Sequence, residues 1–275
     1  MEITYELEDV TPLTVANVEG EGHGNVGALS LRNFAIAIDS TMYSVLAKEF
    51  RKNIEKRFNK PVKYLIITHY HGDHIFGINA FKDVCVLSSE ATSMVMKSED
   101  VNERYLEYIK ELEKEDPLGK GIEYLLPTLL FKNSVIIQDE DLNIEVIHVG
   151  GHTIGSSYVY FPHERVLFAG DLIFENMFPY AGDESCNPDL WINSLETMYS
   201  LNPKYIVPGH GPLMEGKDSL KKHITFFKNL RKIIKDAIKD NLELTQIDIP
   251  NEFEVVNEEL KPLTINRFLD FYKNK

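Results

Sequence analysis

The sequence predicts an α/β fold, and three observations lead there. Ala28–Asp39 runs into an unbroken apolar stretch, F-A-I-A-I-D, and reads as a buried strand ending at Asp39. Tyr43–Arg57 then places Val45, Leu46, Phe50 and Ile54 at helical spacing with charges between them. A second short apolar run, Tyr64–Ile67, follows and stops abruptly in histidine; strand, helix, strand with polar groups at the strand ends is the α/β theme.

Before that unit, Tyr5–Val18 carries scattered β-branched residues and reads as one or two edge strands. Glu19–Gly27 is a glycine-rich turn with His23 at its tip; a plain connector is favoured there over a flap across a site. Beyond Tyr64–His74, Val84–Leu87 reads as a strand. Glu90–Glu115 is helical and charged, and Asp116–Gly121 breaks it. A helical insertion over about 90–130 is expected to pack on the body beneath, with Tyr105 and Tyr124 as alternative pocket-lining residues.

Strands resume at Ser134–Gln138 and Asn143–Val149. A glycine turn then presents His152 ahead of an alternating strand, and Arg165–Ala169 ends in Gly170-Asp171. The loop Phe174–Asn187 is rich in aromatic residues, Tyr180 among them, and Tyr180 joins His23 as a candidate pocket residue. Asn187-Pro188 is a good N-cap and N1 pair for a helix through Trp191, Leu195 and Met198. Tyr205–Val207 reads as the last strand, before Pro208-Gly209-His210-Gly211-Pro212. From 216 to 275 the character changes to two amphipathic helices, Lys221–Lys239 and Ile265–Tyr272, expected to pack on a 1–215 body with a solvated lysine face.

Composition bounds the partners. With 275 residues, 43% hydrophobic and 26% charged, the chain is an ordinary globular protein. A net charge of −14 disfavours general phosphate-backbone binding, so no nucleic-acid partner is expected, and a small-molecule substrate is. Met1–Val10 has no apolar core of a signal peptide. Ile122–Phe131 is too short and interrupted to span a bilayer, so a cytoplasmic protein without a membrane partner is expected. Cys85 and Cys186 fit two free thiols in a reducing compartment. Nothing in the sequence fixes an oligomeric state.

Chemistry concentrates in Y-L-I-I-T-H-Y-H-G-D-H, Tyr64–His74. Side chains alternate along an extended segment, so His69 and His71 share a face. Gly72 permits a sharp turn, and Asp73 stands where an N-cap belongs. A single histidine at a strand end is ordinarily a hydrogen-bonding residue. Packing gives no reason to gather three and an aspartate, and a metal site does. Asp39, His152, Asp171 and His210 share the same grammar, an apolar strand running into His or Asp. In α/β proteins such strand ends meet in space.

The ordered set H-Y-H-G-D-H, G-H-T-I-G-S, F-A-G-D and P-G-H-G-P resembles the metallo-β-lactamase superfamily over about residues 10–215. The resemblance implies a four-layer αββα sandwich with two divalent metal ions, zinc first and iron or manganese as alternatives. By the same resemblance His69, His71 and His152 hold one ion. Asp73, His74 and His210 hold the other, Asp171 bridges them, and Asp39 supports the site from behind. Asp171 stands where one major group of zinc β-lactamases has cysteine, which disfavours antibiotic hydrolysis. His71 replaces the glutamate of diiron relatives, and the set is similar to that of glyoxalase II and of lactonases. The implied reaction is attack of metal-bound hydroxide on an ester, thioester or lactone. Asp73 ligates and can also steer the water or relay a proton. A persulfide dioxygenase-like enzyme with one iron on His69, His152 and Asp171, a phosphodiesterase and a non-catalytic scaffold are the competing expectations.

Overall fold

A computed structural model describes residues 5–20, 23–243, 246–249, 253 and 259–275. Two mixed sheets face each other across an apolar layer, and helices cover both outer faces, the αββα sandwich that the resemblance implies. The first sheet holds β1 (Glu8–Thr11), β2 (Thr14–Asn17), β3 (Val26–Ser30), β4 (Ala35–Ile38), β5 (Val62–Ile66), β6 (Cys85–Ser89) and β7 (Leu129–Phe131), in that order. The second holds β8 (Ser134–Asp139), β9 (Leu142–His148), β10 (Ser157–Phe161), β11 (Val166–Phe174), β12 (Tyr205–His210) and β13 (Met214–Glu215), also neighbours in sequence order.

Leu29, Ile36, Ile38 and Ile66 from the first sheet meet Ile144, Val159, Phe161 and Phe168 from the second in the central layer. Outside the first sheet, α1 (Ser44–Phe58) contributes Phe50 and Ile54. The helices α3 (Glu90–Lys97) and α4 (Glu99–Glu115) add Met96 and Ile109. Outside the second, α5 (Pro188–Ser200), α6 (Asp218–Lys239) and α7 (Leu260–Lys273) lay Trp191, Leu230, Ile234 and Phe268 onto the sheet. Asn187 caps α5 as the sequence suggests, its side chain accepting from Asp189 and Leu190 N–H with Pro188 at the first helical position.

Several boundaries differ from the sequence reading, among them the start of α7 at Leu260 where Ile265 was expected. Ala28–Asp39 is two antiparallel strands, β3 and β4, turned at Arg32-Asn33. Asp141 pairs with Arg32 and Asp139 accepts from Asn33 N–H, so the turn is fixed from the other sheet's β8–β9 corner. Both strands are buried on both faces, which removes the alternation that would have marked the break. The helical run Glu90–Glu115 divides at an extended Ser98. The strand expected over Arg165–Ala169 continues to Phe174 through register shifts on either side of Gly170. Finally, β12 runs on through His210, and the two-residue β13 follows it.

Parallel pairing explains where the site lies. The pair β4–β5 in one sheet and β11–β12 in the other are parallel, so each pair delivers two chain exits to the same edge of its sheet. Truncating the inter-sheet layer tests the packing: Phe168→Ala, at a side chain 2% exposed, is expected to lower unfolding stability by about 3–5 kcal/mol in urea titrations. A loss below about 1 kcal/mol contradicts a close-packed central layer.

Candidate metal centre

Each exit carries its own polar group. After β5 the chain runs through Thr68 to His69 and His71, and α2 (Gly72–Ile75) turns His74 inward. The N-cap expected at Asp73 is corrected: His71 occupies it without a side-chain cap bond, and Asp73 lies in the first turn. The Asp73 carboxylate is directed elsewhere, 3.3 Å from His210 Nε2 and 3.7 Å from His74 Nε2, and so does not cap backbone amides. Asp171 lies inside β11 at the irregularity. Gly170 there adopts φ +51°, a left-handed conformation that a side chain opposes, and so redirects the strand beside Asp171.

Seven side chains expected from the sequence meet here in two groups, each able to hold a metal ion. One is His69, His71, His152 and Asp171; the other is Asp73, His74 and His210; within each, the ligating atoms lie within 4.8 Å of one another. Asp171 faces both. Its Oδ2 is 3.5 Å from His69 Nε2 and 3.4 Å from His152 Nε2, while Oδ1 is 3.0 Å from His74 Nε2 and 3.3 Å from His210 Nε2.

Outer hydrogen bonds select which ring nitrogen points inward. Asp39, with its backbone at φ +57°, accepts from His74 Nδ1–H at 2.9 Å and from Thr68 N–H and Oγ1–H at 2.8 Å each. Since the Thr68 hydroxyl proton is committed to Asp39, Thr68 Oγ1 accepts from His69 Nδ1–H at 3.1 Å. His152 Nδ1–H donates to the Tyr180 carbonyl at 3.0 Å. His71 is reversed: Nε2–H donates to Asp183 Oδ2 at 3.2 Å, leaving Nδ1 facing His152 Nε2 at 3.0 Å. Each bond fixes a tautomer whose lone pair faces the cluster, as carboxylate–histidine–metal arrangements require.

Burial makes the cluster costly without an ion. His69 Nε2, His74 Nε2 and Asp171 Oδ1 are buried with no hydrogen-bond partner, although the last two are only 3.0 Å apart. Burial lowers the pKa of His69 and His152. At His74 burial opposes the charged form, but Asp171, Asp73 and Asp39 outweigh it and raise the pKa. At His210 burial again opposes, and Asp171 and Asp73 push the pKa up to about 10. Asp171 and Asp73 are held below the usual carboxylate range: burial resists, and the histidines around them prevail. Orphaned nitrogens, ionised carboxylates and imposed tautomers all fit divalent cations.

Two cavities open on the cluster. The smaller, of about 270 Å³, has Phe174, Met177, Phe178 and Leu260 in its wall, and the larger, of about 500 Å³, lies along α4. Tyr180 lines both, and Tyr105 lines the larger. Tyr124 lines neither and donates to the Met96 carbonyl at 2.9 Å, beneath the helices. His23 is exposed at φ +66°, with Nε2 3.3 Å from the Tyr43 hydroxyl, and lines neither cavity.

Two residues that sequence reasoning missed brace the site. Asn25, 5% exposed, donates from N–H to the Gly209 carbonyl at 2.8 Å and from Nδ2 to Pro208 (3.0 Å) and Gly211 (2.8 Å), bracketing His210. The neighbouring Gly24 passes so close that a Cβ there would lie 2.8 Å from His74 Nε2. Asp183 accepts from Tyr70 Oη–H, Ser185 N–H and His71 Nε2–H, and Ser185 Oγ in turn accepts from Ile154 N–H in the His152 loop. The only local signal for either was an acidic or amide side chain in a glycine-containing loop.

Comparison with known proteins agrees with this geometry. The profile of the Metallo-beta-lactamase superfamily matches residues 20–210, and the chain belongs to that superfamily. It is 26% identical over 212 residues to the Beta-lactamase-like protein 2 homolog of Caenorhabditis elegans, covering 73% of this chain and 60% of that protein. It is 24% identical over 160 residues to the Acyl-coenzyme A thioesterase MBLAC2 of Gallus gallus, covering 53% and 55%. A metallo-beta-lactamase structure from Pontibacter korlensis shares the fold at a TM-score of 0.63 and 20% identity, over 82% of this chain and 99% of that one. The chain thus spans about three fifths of the nematode relative's length. Among the described residues no helix is long and apolar enough to cross a membrane.

The brace on His210 has a measurable consequence. Asn25→Asp puts carboxylate oxygen against the Pro208 and Gly211 carbonyls. It is expected to weaken metal binding at the Asp73, His74 and His210 group by about 10–100-fold in metal titrations. Unchanged metal affinity contradicts the role.

Proposed function

We propose that this chain is a hydrolase that takes two divalent ions, zinc in the first place, and opens an ester, thioester or lactone of a small molecule. The observation that carries the reading is the placing of the two Asp171 oxygens, one toward His69 and His152 and the other toward His74 and His210. A single carboxylate between two imidazole sets fits a pair of ions better than one iron on His69, His152 and Asp171, which leaves His74 Nε2 buried and unpartnered.

Bound there, divalent ions supply Lewis acidity and lower the pKa of water toward neutrality. The residues do the rest. Asp39, Thr68, Asp183 and the Tyr180 carbonyl hold four of the five imidazoles, those of His74, His69, His71 and His152, in their inward tautomers. Asp73, kept ionised, remains an acceptor at the mouth of the smaller cavity. Phe174, Met177, Phe178 and Leu260 offer an apolar wall to an acyl group and keep water from it. The thioesterase relative supports carbonyl–sulfur chemistry as one member of this class.

Metal analysis followed by a panel of esters, thioesters, lactones, phosphodiesters, β-lactams and a persulfide tests the reading. Two ions per chain with carbonyl-ester or thioester turnover is expected. His71→Ala or Asp171→Asn should reduce that turnover more than about 100-fold. One iron with oxygen uptake on the persulfide contradicts it.

Proton linkage gives a second check. In the metal-free chain the raised His210 pKa of about 10 means that the charged imidazolium stabilises the fold below the unfolded value. That contribution is lost as pH rises through 10. An ion competes with this proton, so zinc binding at pH 7 should release protons and weaken as pH falls. Calorimetry in buffers of different ionisation enthalpy reads the release; none at pH 7 contradicts the linkage.

A further inference from the structure

His223 is a buried titratable residue that the metal centre does not use. It lies in the second turn of α6 at 0% exposure and belongs to neither ligand group. Its Nδ1 is 2.9 Å from the Ser219 carbonyl, one helical turn back, and its Nε2 is 3.1 Å from the Phe174 carbonyl at the end of β11. Carbonyl oxygens only accept. A neutral imidazole carries one N–H and would set a lone pair against one of the two, so both bonds form together only in the imidazolium. The Glu175 carboxylate stands 3.6 Å from Nε2, and its Oε2 is buried with no hydrogen-bond partner. The neighbouring cation, Lys222, is turned to the Phe253 ring, 4.7 Å from its centroid, and that ring lies 5.0 Å from the imidazole. An anion and two carbonyl dipoles compensate one buried imidazolium, and removing either charge leaves the other uncompensated.

His223 reaches the metal centre through the residues it holds. The Phe174 ring stacks on the His210 ring, 5.1 Å between centroids and 7° from parallel, and Glu175 N–H donates to the His210 carbonyl at 2.9 Å. The same Phe174 ring lies 5.7 Å from the His152 ring and stands in the wall of the smaller cavity. One imidazole on α6 thus anchors the short segment that backs His210 and shapes the apolar wall.

We propose that His223, as the imidazolium, is a positioning residue for the reaction. It holds the Phe174 carbonyl and the Glu175 carboxylate, and through them it sets the His210 ring and the wall that faces the acyl group. Loss of its proton turns a lone pair on one carbonyl and removes the counter-charge of Glu175, which releases the end of β11. The assignment to a reaction rests on the hydrolase reading; the support of His210 does not.

NMR of the full chain labelled with ¹⁵N-histidine reads the protonation directly and needs no turnover. The His223 signals, assigned by their loss in His223→Gln, are expected to show both ring nitrogens protonated at pH 7; a neutral ring there overturns the proposal. Zinc titration supplies a second readout. His223→Phe, which keeps a ring and removes both donors, should weaken zinc at the Asp73, His74 and His210 group by about tenfold, and His223→Gln, which keeps one donor, by less. Unchanged zinc affinity in both variants overturns the proposal, and where His223→Phe does not fold, His223→Gln and the NMR of the unsubstituted chain decide. Turnover of S-butyryl-N-acetylcysteamine by zinc-loaded protein gives the third. Its kcat/KM should fall as pH rises through the range where NMR shows His223 losing its proton, and His223→Gln should lack that inflection, which a merely structural contact would leave in place. Inactivity across the ester, thioester and lactone panel, with the NMR and zinc results as expected, overturns the hydrolase reading and retains the support of His210. Turnover with a neutral His223 and unchanged zinc affinity overturns the positioning role and leaves the hydrolase reading standing.

Discussion

One buried carboxylate organises this protein. Asp171 presents an oxygen to each of two histidine sets drawn from both sheets, and its Oδ1 has no hydrogen-bond partner although it lies 3.0 Å from His74 Nε2. An ionised group at 4% exposure is tolerated only with compensation, so everything around it has to supply charge or fixed dipoles. The sandwich makes that possible. Its parallel pairs bring four strand ends to one edge, where the carboxylates around His74 and His210 raise the pKa of both imidazoles against burial.

Rigidity at the edge comes from contacts outside the cluster. Trp191 donates from Nε1 to the Leu172 carbonyl at 2.9 Å, packs edge-on against the His152 ring and rests on Phe227 of α6. The helix α6 is thereby coupled to His152 through Trp191. On the other side, the Asp183–Tyr70–Ser185 bonds tie the loop after β11 to the His71 and His152 segments. Imidazoles held from behind lose little freedom when an ion arrives, which is what pre-organisation supplies.

The contrast between the two cavities gives the site a direction. Aromatic and aliphatic side chains from the β11–α5 loop and α7 stand over one side of the cluster, and α4 brings alternating charge to the other. Apart from Phe174 at the end of β11, these walls come from segments outside the strand framework. The fold belongs to the superfamily, while much of the cavity lining comes from the decoration of this chain.

The sequence by itself determined the α/β class and the order of most strands through short apolar runs, and its ordered histidine and aspartate motifs, by their resemblance to the superfamily, implied the seven candidate ligands. It also placed Asp39, whose position after an apolar run is legible without its partners. Tertiary structure decided the rest. The break between β3 and β4 depends on Asp139 and Asp141 from the opposite sheet, and burial on both faces erased the alternation that would have shown it. The bracket of Asn25 around His210, and that of Asp183 behind His71, join residues more than a hundred positions apart. Which imidazole nitrogen faces inward is likewise set by acceptors brought from elsewhere in the chain. No window of neighbouring residues contains that information, since it exists only once the two sheets have closed on each other.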